Sequence, residues 1–131
     1  MILWLVACAG ESADTAGPAA EPTLTNVQST VFDASCAFST CHGEGGGNAG
    51  LSLLPGESWA ELVGVAAEGD ADGVPDGETR VIAGDPDGSY LVKKLEGAEG
   101  IVGDTMPQSS PLDAERLQLV RDWIESGALD D

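Results

Sequence analysis

Apolar residues recur at helical spacing in three stretches of the chain, and each stretch predicts an amphipathic helix. The predicted helices cover residues 25 to 34, 85 to 96 and 113 to 126. Their buried faces carry aliphatic or aromatic side chains, namely Leu24, Val27, Val31 and Phe32 in the first, Leu91, Val92 and Leu95 in the second, and Leu117, Leu119, Val120, Trp123 and Ile124 in the last. About two further turns over residues 57 to 63 would bury Trp59, Leu62 and Val63. The pattern therefore predicts an all-α fold of three to four short helices.

Residue types that favour helix ends mark where these helices begin and stop. Thr25 and Gln28 have the form of a capping box at the start of the first helix. Asp85, which precedes a proline, is the expected N-cap of the second. Lys93 and Lys94 fall near the end of that helix, where long basic side chains ordinarily reach solvent. Glycines stop the second and the last helix: Gly97 and Gly127.

The charge of the chain is strongly negative. Its 131 residues include 23 acidic and 5 basic side chains, which gives a formal net charge of −18. This balance argues against nucleic acid and anionic membrane surfaces as partners. It is compatible with a basic protein partner, and also with a purely solubilising role.

The N-terminal part predicts an anchored tether rather than folded structure. Residues 1 to 7 are apolar but too few to span a bilayer. The sequence Leu5-Val6-Ala7-Cys8 resembles the lipobox of bacterial lipoproteins, which implies cleavage before Cys8 and a diacylglycerol on its thiol. The alternative is an incidental N-terminal thiol. Residues 8 to 23 are small, polar and acidic, as in a disordered tether, so a single folded domain is expected over residues 24 to 131.

One segment concentrates the chemistry of the chain: Cys36-Ala-Phe-Ser-Thr-Cys41-His42-Gly43. A cysteine pair followed directly by histidine is typical of a c-type haem attachment site. Each thiol forms a thioether with a haem vinyl group, and the adjacent imidazole binds the iron. The spacing differs from the usual one, because four residues rather than two separate the cysteines.

Two alternatives compete with haem attachment at this segment. Cys36 and Cys41 could form a local disulfide, which an oxidising compartment outside the cytoplasm would permit. They could also bind zinc, although only three ligands are at hand and two of them are neighbours in sequence. Glycines follow the segment, at positions 43, 45, 46, 47 and 50, so the chain there either turns tightly or passes close to a flat group.

The order of these features resembles the class I cytochrome c fold: a helix, a cysteine–histidine loop, a Gly-rich passage, central helices, a Met-Pro loop and an amphipathic final helix. The resemblance covers about residues 24 to 128. Four segments are also similar to small cytochrome c domains of bacterial lipoproteins: residues 36 to 43, residues 80 to 91, Met106-Pro107, and Arg121-Asp122-Trp123-Ile124.

The resemblance implies one covalently bound haem c and single-electron transfer. Cys36 and Cys41 would be the thioether anchors, His42 the proximal iron ligand and Met106 the distal ligand. His42 is the only histidine, so two-histidine ligation within one chain is excluded, and no histidine remains to act as a general base. The implied protein is an electron carrier and not an enzyme. With the lipid anchor at Cys8, it would face the periplasm in the bacterial cell envelope, near a redox partner.

Two other functions remain open at this point. One is a haem domain with an open sixth coordination position that binds a gas or reduces peroxide. The other is a haem-free interaction module stapled by a disulfide. Within the haem interpretations, the indole N–H of Trp59 could donate to a haem propionate or the ring could simply pack in the core.

Overall fold

The structure of the protein, a computed structural model, describes residues 19–44, 48–69, 73, 75, 77–108 and 110–131. Over these residues the fold is all-α, with helical elements joined by long loops. Backbone pairing in the described part is limited to isolated bridges, such as Val63 with Val81, so no strand forms there. None of the described helices combines the length and the apolar character needed to cross a membrane. The N-terminal segment and most of the tether predicted above, including Cys8, lie outside the described residues.

The first helical segment is continuous but changes its winding. It consists of α1 (Leu24–Val27), a π-helical stretch (Gln28–Phe32) and α2 (Asp33–Ser35). The extent of this segment agrees with the helix predicted from the sequence, whereas the capping box predicted at Thr25 is wrong. Thr23 is the N-cap, with its side chain accepting from the amide of Asn26, and Thr25 bonds to Asp131 instead. Asp131 also accepts from the amide of Leu24, so the opposite end of the chain satisfies this helix start.

The central helices are shorter than their patterns predict. Helix α3 covers Ser58–Leu62 and α4 covers Tyr90–Glu96, with Ser89 as its N-cap. The prediction that α4 begins at Asp85 is wrong. The Asp85 side chain accepts from the amide of Gly88, which closes a turn before the helix, because Pro, Asp and Gly favour turns at these positions. The predicted stop is confirmed: Gly97 ends α4 in the left-handed conformation at φ 65°.

The last helix carries the centre of the core. Helix α5 covers Ala114–Glu125, close to the predicted bounds, and is capped by the Asp113 side chain. It packs against α1 and α4. The core comprises fully buried side chains from all three of these regions: Val27, Val31, Phe32, Val92, Val120, Trp123 and Ile124. The indole N–H of Trp123 donates to the carbonyl of Leu129, so this large ring is buried with its polar atom satisfied.

Candidate functional site

The cysteine–histidine segment folds into a compact turn directly after α2. The amide of His42 donates to the carbonyl of Cys36 at 3.1 Å, and the amide of Gly43 donates to the carbonyl of Phe38 at 2.9 Å. Gly43 is buried, and a Cβ atom there would lie 2.7 Å from the carbonyl oxygens of Ala37 and Phe38. Only glycine therefore permits this closure. The turn returns the chain so that His42 lies next to Cys36.

An open, largely apolar cleft lies beside this turn. It contains about 820 Å³ of empty space, part of it open to solvent. Three of the residues predicted to hold haem line this one cleft: Cys36, His42 and Met106. The rest of its wall is dominated by aliphatic side chains from several parts of the chain, among them Leu51, Leu53, Leu62, Leu91, Leu95 and Val102. The fold thus brings together residues from the first and the last third of the described chain.

The imidazole of His42 is oriented by the backbone. Its Nδ1 atom lies 3.1 Å from the carbonyl oxygen of Leu51. A carbonyl only accepts, so Nδ1 is the donor of this hydrogen bond. In the neutral ring the lone pair is then on Nε2, the arrangement that a metal-binding imidazole requires. The amide of Leu53 donates to the carbonyl of His42 at 2.8 Å, which ties the same two segments together a second time.

The two thiols occupy different environments. Both are half-buried and free of a disulfide bond in this structure. Burial raises the pKa of the Cys36 thiol to about 11, and the nearby Cys41 adds to that rise. Of the described cysteines only Cys36 lines the cleft, whereas the Cys41 sulfur lies near the Thr40 hydroxyl, at 3.8 Å. At neutral pH the Cys36 thiol is therefore protonated and a weak nucleophile in the folded chain.

Met106 lies in the loop between α4 and α5. Its amide donates to the carbonyl of Lys94 at 2.9 Å, and its side chain lines the cleft from a different segment than His42 does. A thioether and an imidazole thus both border one apolar space. This donor pair suits a haem iron held in six coordination in both oxidation states.

Two of the five basic side chains of the protein also line the cleft, which the sequence did not suggest. Arg80 is only 6% exposed and donates to the carbonyls of Glu61 at 2.8 Å and Ala49 at 3.1 Å. Lys94 was expected to reach solvent, but its ammonium donates to two loop carbonyls. The Arg80 guanidinium also pairs with the Glu61 carboxylate at 3.4 Å, so this buried cation already has an anionic partner within the chain. In the sequence, the only indication that Arg80 is buried was its place at the start of an apolar run, Arg80-Val81-Ile82, in a chain with few basic residues.

The contacts of Trp59 match neither of the two expected roles, donation to a haem propionate and packing in the core. Its ring is 37% exposed rather than buried, and its indole N–H donates to the carbonyl of Ala128 at 2.8 Å. It therefore contacts the C-terminal segment and does not line the cleft. Among the residues that the structure describes, no three His, Cys, Asp or Glu side chains gather as they would around a metal ion bound by such residues alone.

Searches of protein-family models, of curated proteins and of solved structures find no match to this chain. Function is therefore inferred from the chemistry of the cleft.

Proposed function

We propose that the protein is a c-type cytochrome, a single-electron carrier that holds one haem in the cleft. The observation that supports this most strongly is the convergence of Cys36, His42 and Met106 on one apolar space. Met106 lies far in sequence from the turn that carries Cys36 and His42, and each of the three has the chemistry that a covalently bound, six-coordinate haem needs. The wider fold would then be of the cytochrome c type.

The residues present fit such a group in four respects. The cleft wall is apolar, as the macrocycle requires. The carbonyl of Leu51 fixes the imidazole of His42 with Nε2 as the metal-binding atom. Met106 supplies a thioether from a second segment, and Cys36 supplies a thiol at the wall.

When bound, the haem supplies the reversible one-electron couple of its iron. The chain would supply the ligands of the iron and its apolar surroundings. His42 and Met106 would hold the iron through an imidazole and a thioether, which would keep its coordination the same in both oxidation states. The aliphatic wall excludes water, and the thioether of Met106 favours the ferrous state and raises the reduction potential. A closed coordination sphere of this kind needs no substrate pocket, so we propose an electron carrier rather than an enzyme.

Visible spectra of the protein, made together with cytochrome c maturation machinery, test this proposal. A six-coordinate carrier gives a low-spin reduced spectrum that carbon monoxide changes slowly or not at all. Rapid formation of a carbon monoxide complex would instead indicate an open sixth position, suited to gas binding or peroxide reduction. A protein without Soret absorption would be a haem-free module, in which Cys36 and Cys41 are available for a disulfide.

We also propose that a basic redox protein is the partner, because the net charge of the chain is −18. Attraction between opposite charges accelerates docking and weakens as salt screens it. Stopped-flow reduction by a small basic cytochrome should therefore slow as ionic strength rises. A rate that does not depend on salt would leave the acidic residues a solubilising role only.

The membrane anchor belongs to the same proposal and concerns Cys8. Its lipobox-like context predicts a mature chain that starts at an acylated Cys8, and two acyl chains on one residue give firm attachment. Mass spectrometry of the N-terminal peptide from envelope fractions tests this. A mature protein that retains an unmodified Met1 would contradict it.

A further inference from the structure

The segment that carries Met106 is held against α4 by four hydrogen bonds, three of which involve Lys94. The ammonium of Lys94 donates to the carbonyls of Val102 at 2.7 Å and Asp104 at 2.6 Å. The carbonyl of Lys94 accepts from the amide of Met106. Lys94 therefore takes part in three hydrogen bonds to residues 102 to 106. Tyr90, one turn earlier on α4, adds a fourth by accepting from the amide of Val102 at 2.9 Å.

This arrangement matters because the segment has no regular structure of its own. Residues 98 to 113 contain no helix in their described part, so the path of this loop depends on contacts made elsewhere. A methionine side chain is flexible, and its sulfur reaches a fixed point only if its backbone is held. Hydrogen bonds from an ammonium are stronger than those between neutral groups, which makes the Lys94 ammonium a strong contact of α4 with this loop.

We infer that Lys94 is a positioning residue that holds the Met106 loop over the cleft and thereby sets how firmly Met106 closes the sixth coordination position. This inference rests on the proposed function, since it assumes that Met106 binds iron. It assigns Lys94 a role that its neighbour Lys93 does not share. The ammonium of Lys93 pairs with the Glu78 carboxylate at 2.9 Å, on a different part of the molecule.

The two adjacent lysines give a matched pair of variants. Lys94→Met keeps the aliphatic stem and removes the ammonium, and Lys93→Met does the same one residue away. In the haem-loaded protein, Lys94→Met should weaken the ferric iron–sulfur band in the red and speed carbon monoxide binding to ferrous protein by about tenfold or more, because it removes two charge-assisted hydrogen bonds. Lys93→Met should change neither by more than about twofold, and Lys94→Arg, which keeps the charge, should restore part of the band.

Hydrogen exchange separates a failure of this inference from a failure of the proposed function. Amides of residues 101 to 106 should exchange about tenfold faster in Lys94→Met than in Lys93→Met, whether or not Met106 binds iron. A wild-type protein without the red band would refute Met106 ligation. Even then, faster exchange in Lys94→Met than in Lys93→Met would support the contact between Lys94 and the loop. The inference is overturned if the two lysine variants match in exchange, or if a wild-type band is unchanged by Lys94→Met.

Discussion

The Nδ1 atom of His42 lies 3.1 Å from the carbonyl oxygen of Leu51, a residue on the far side of the glycine-rich passage. This hydrogen bond sets which imidazole nitrogen carries the lone pair. It also explains how one histidine, placed directly after a cysteine, can be turned into the cleft while its backbone stays in a tight turn. The role that we propose for His42, as an iron ligand, has a clear experimental signature.

Replacing His42 with alanine should remove the proximal ligand and leave the covalent attachment intact. The ferric spectrum should change from low spin to high spin, because only one strong axial ligand remains. Added imidazole should restore the low-spin spectrum by filling the vacated space. Phe38→Ala, which alters a half-exposed side chain of the same turn, serves as the control and should keep the wild-type spectrum. A His42→Ala protein with an unchanged spectrum would show that the iron is held elsewhere.

Replacing Met106 with leucine should open the sixth position while preserving the apolar volume. The red iron–sulfur band should disappear and ferrous protein should bind carbon monoxide. Because a thioether favours ferrous iron, the reduction potential should fall by on the order of 0.2 V, within the span of roughly 0.8 V that axial ligands cover. Met106→His should restore six coordination without the red band. If Met106→Leu keeps both the band and the potential, Met106 only packs against the wall.

Replacing Arg80 with methionine should lower both the stability and the potential. The carbonyls of Glu61 and Ala49 lose their buried donor, which costs about 1–3 kcal/mol in the free energy of unfolding. Loss of Arg80 also leaves the Glu61 carboxylate without its cationic partner, and this uncompensated negative charge should lower the potential. Urea denaturation and potentiometric titration measure the two effects.

Arg116→Met is the matched control for Arg80. Its guanidinium forms an exposed pair with Asp113 at 3.5 Å, away from the cleft. Its removal should change the unfolding free energy by less than about 0.5 kcal/mol and leave the potential unchanged. Equal effects of the two substitutions would mean that Arg80 has no special relation to the cleft.

Local sequence signals predicted the parts of this fold that local forces determine. The periodic apolar stripe predicted the bounds of α5 closely, and Gly97 predicted the end of α4. Two helix starts were predicted wrongly, for different reasons. Asp85 binds the amide of Gly88 in a turn, a local competitor of the helix cap. The start of α1 depends on Asp131, a contact across the whole described chain that no local pattern reveals.

The cleft shows the same difference between features that local sequence reveals and features that depend on tertiary contacts. The types of residue at Cys36, His42 and Met106 indicated their chemistry in the sequence, and the fold places them on one cleft. The cations that join them, Arg80 and Lys94, gave no such signal. Lys94 resembled an ordinary surface lysine, because its carbonyl partners lie in a loop whose path depends on tertiary contacts.

Covalent attachment of haem is the central claim, and extraction with acidified acetone tests it most directly. The protein is made with cytochrome c maturation machinery, extracted, and the polypeptide is analysed by mass spectrometry. The wild-type chain should keep its colour and carry the mass of one haem, and the variant with both Cys36→Ala and Cys41→Ala should lose its colour to the solvent. A wild-type chain that emerges colourless, with both thiols unmodified, would contradict the assignment.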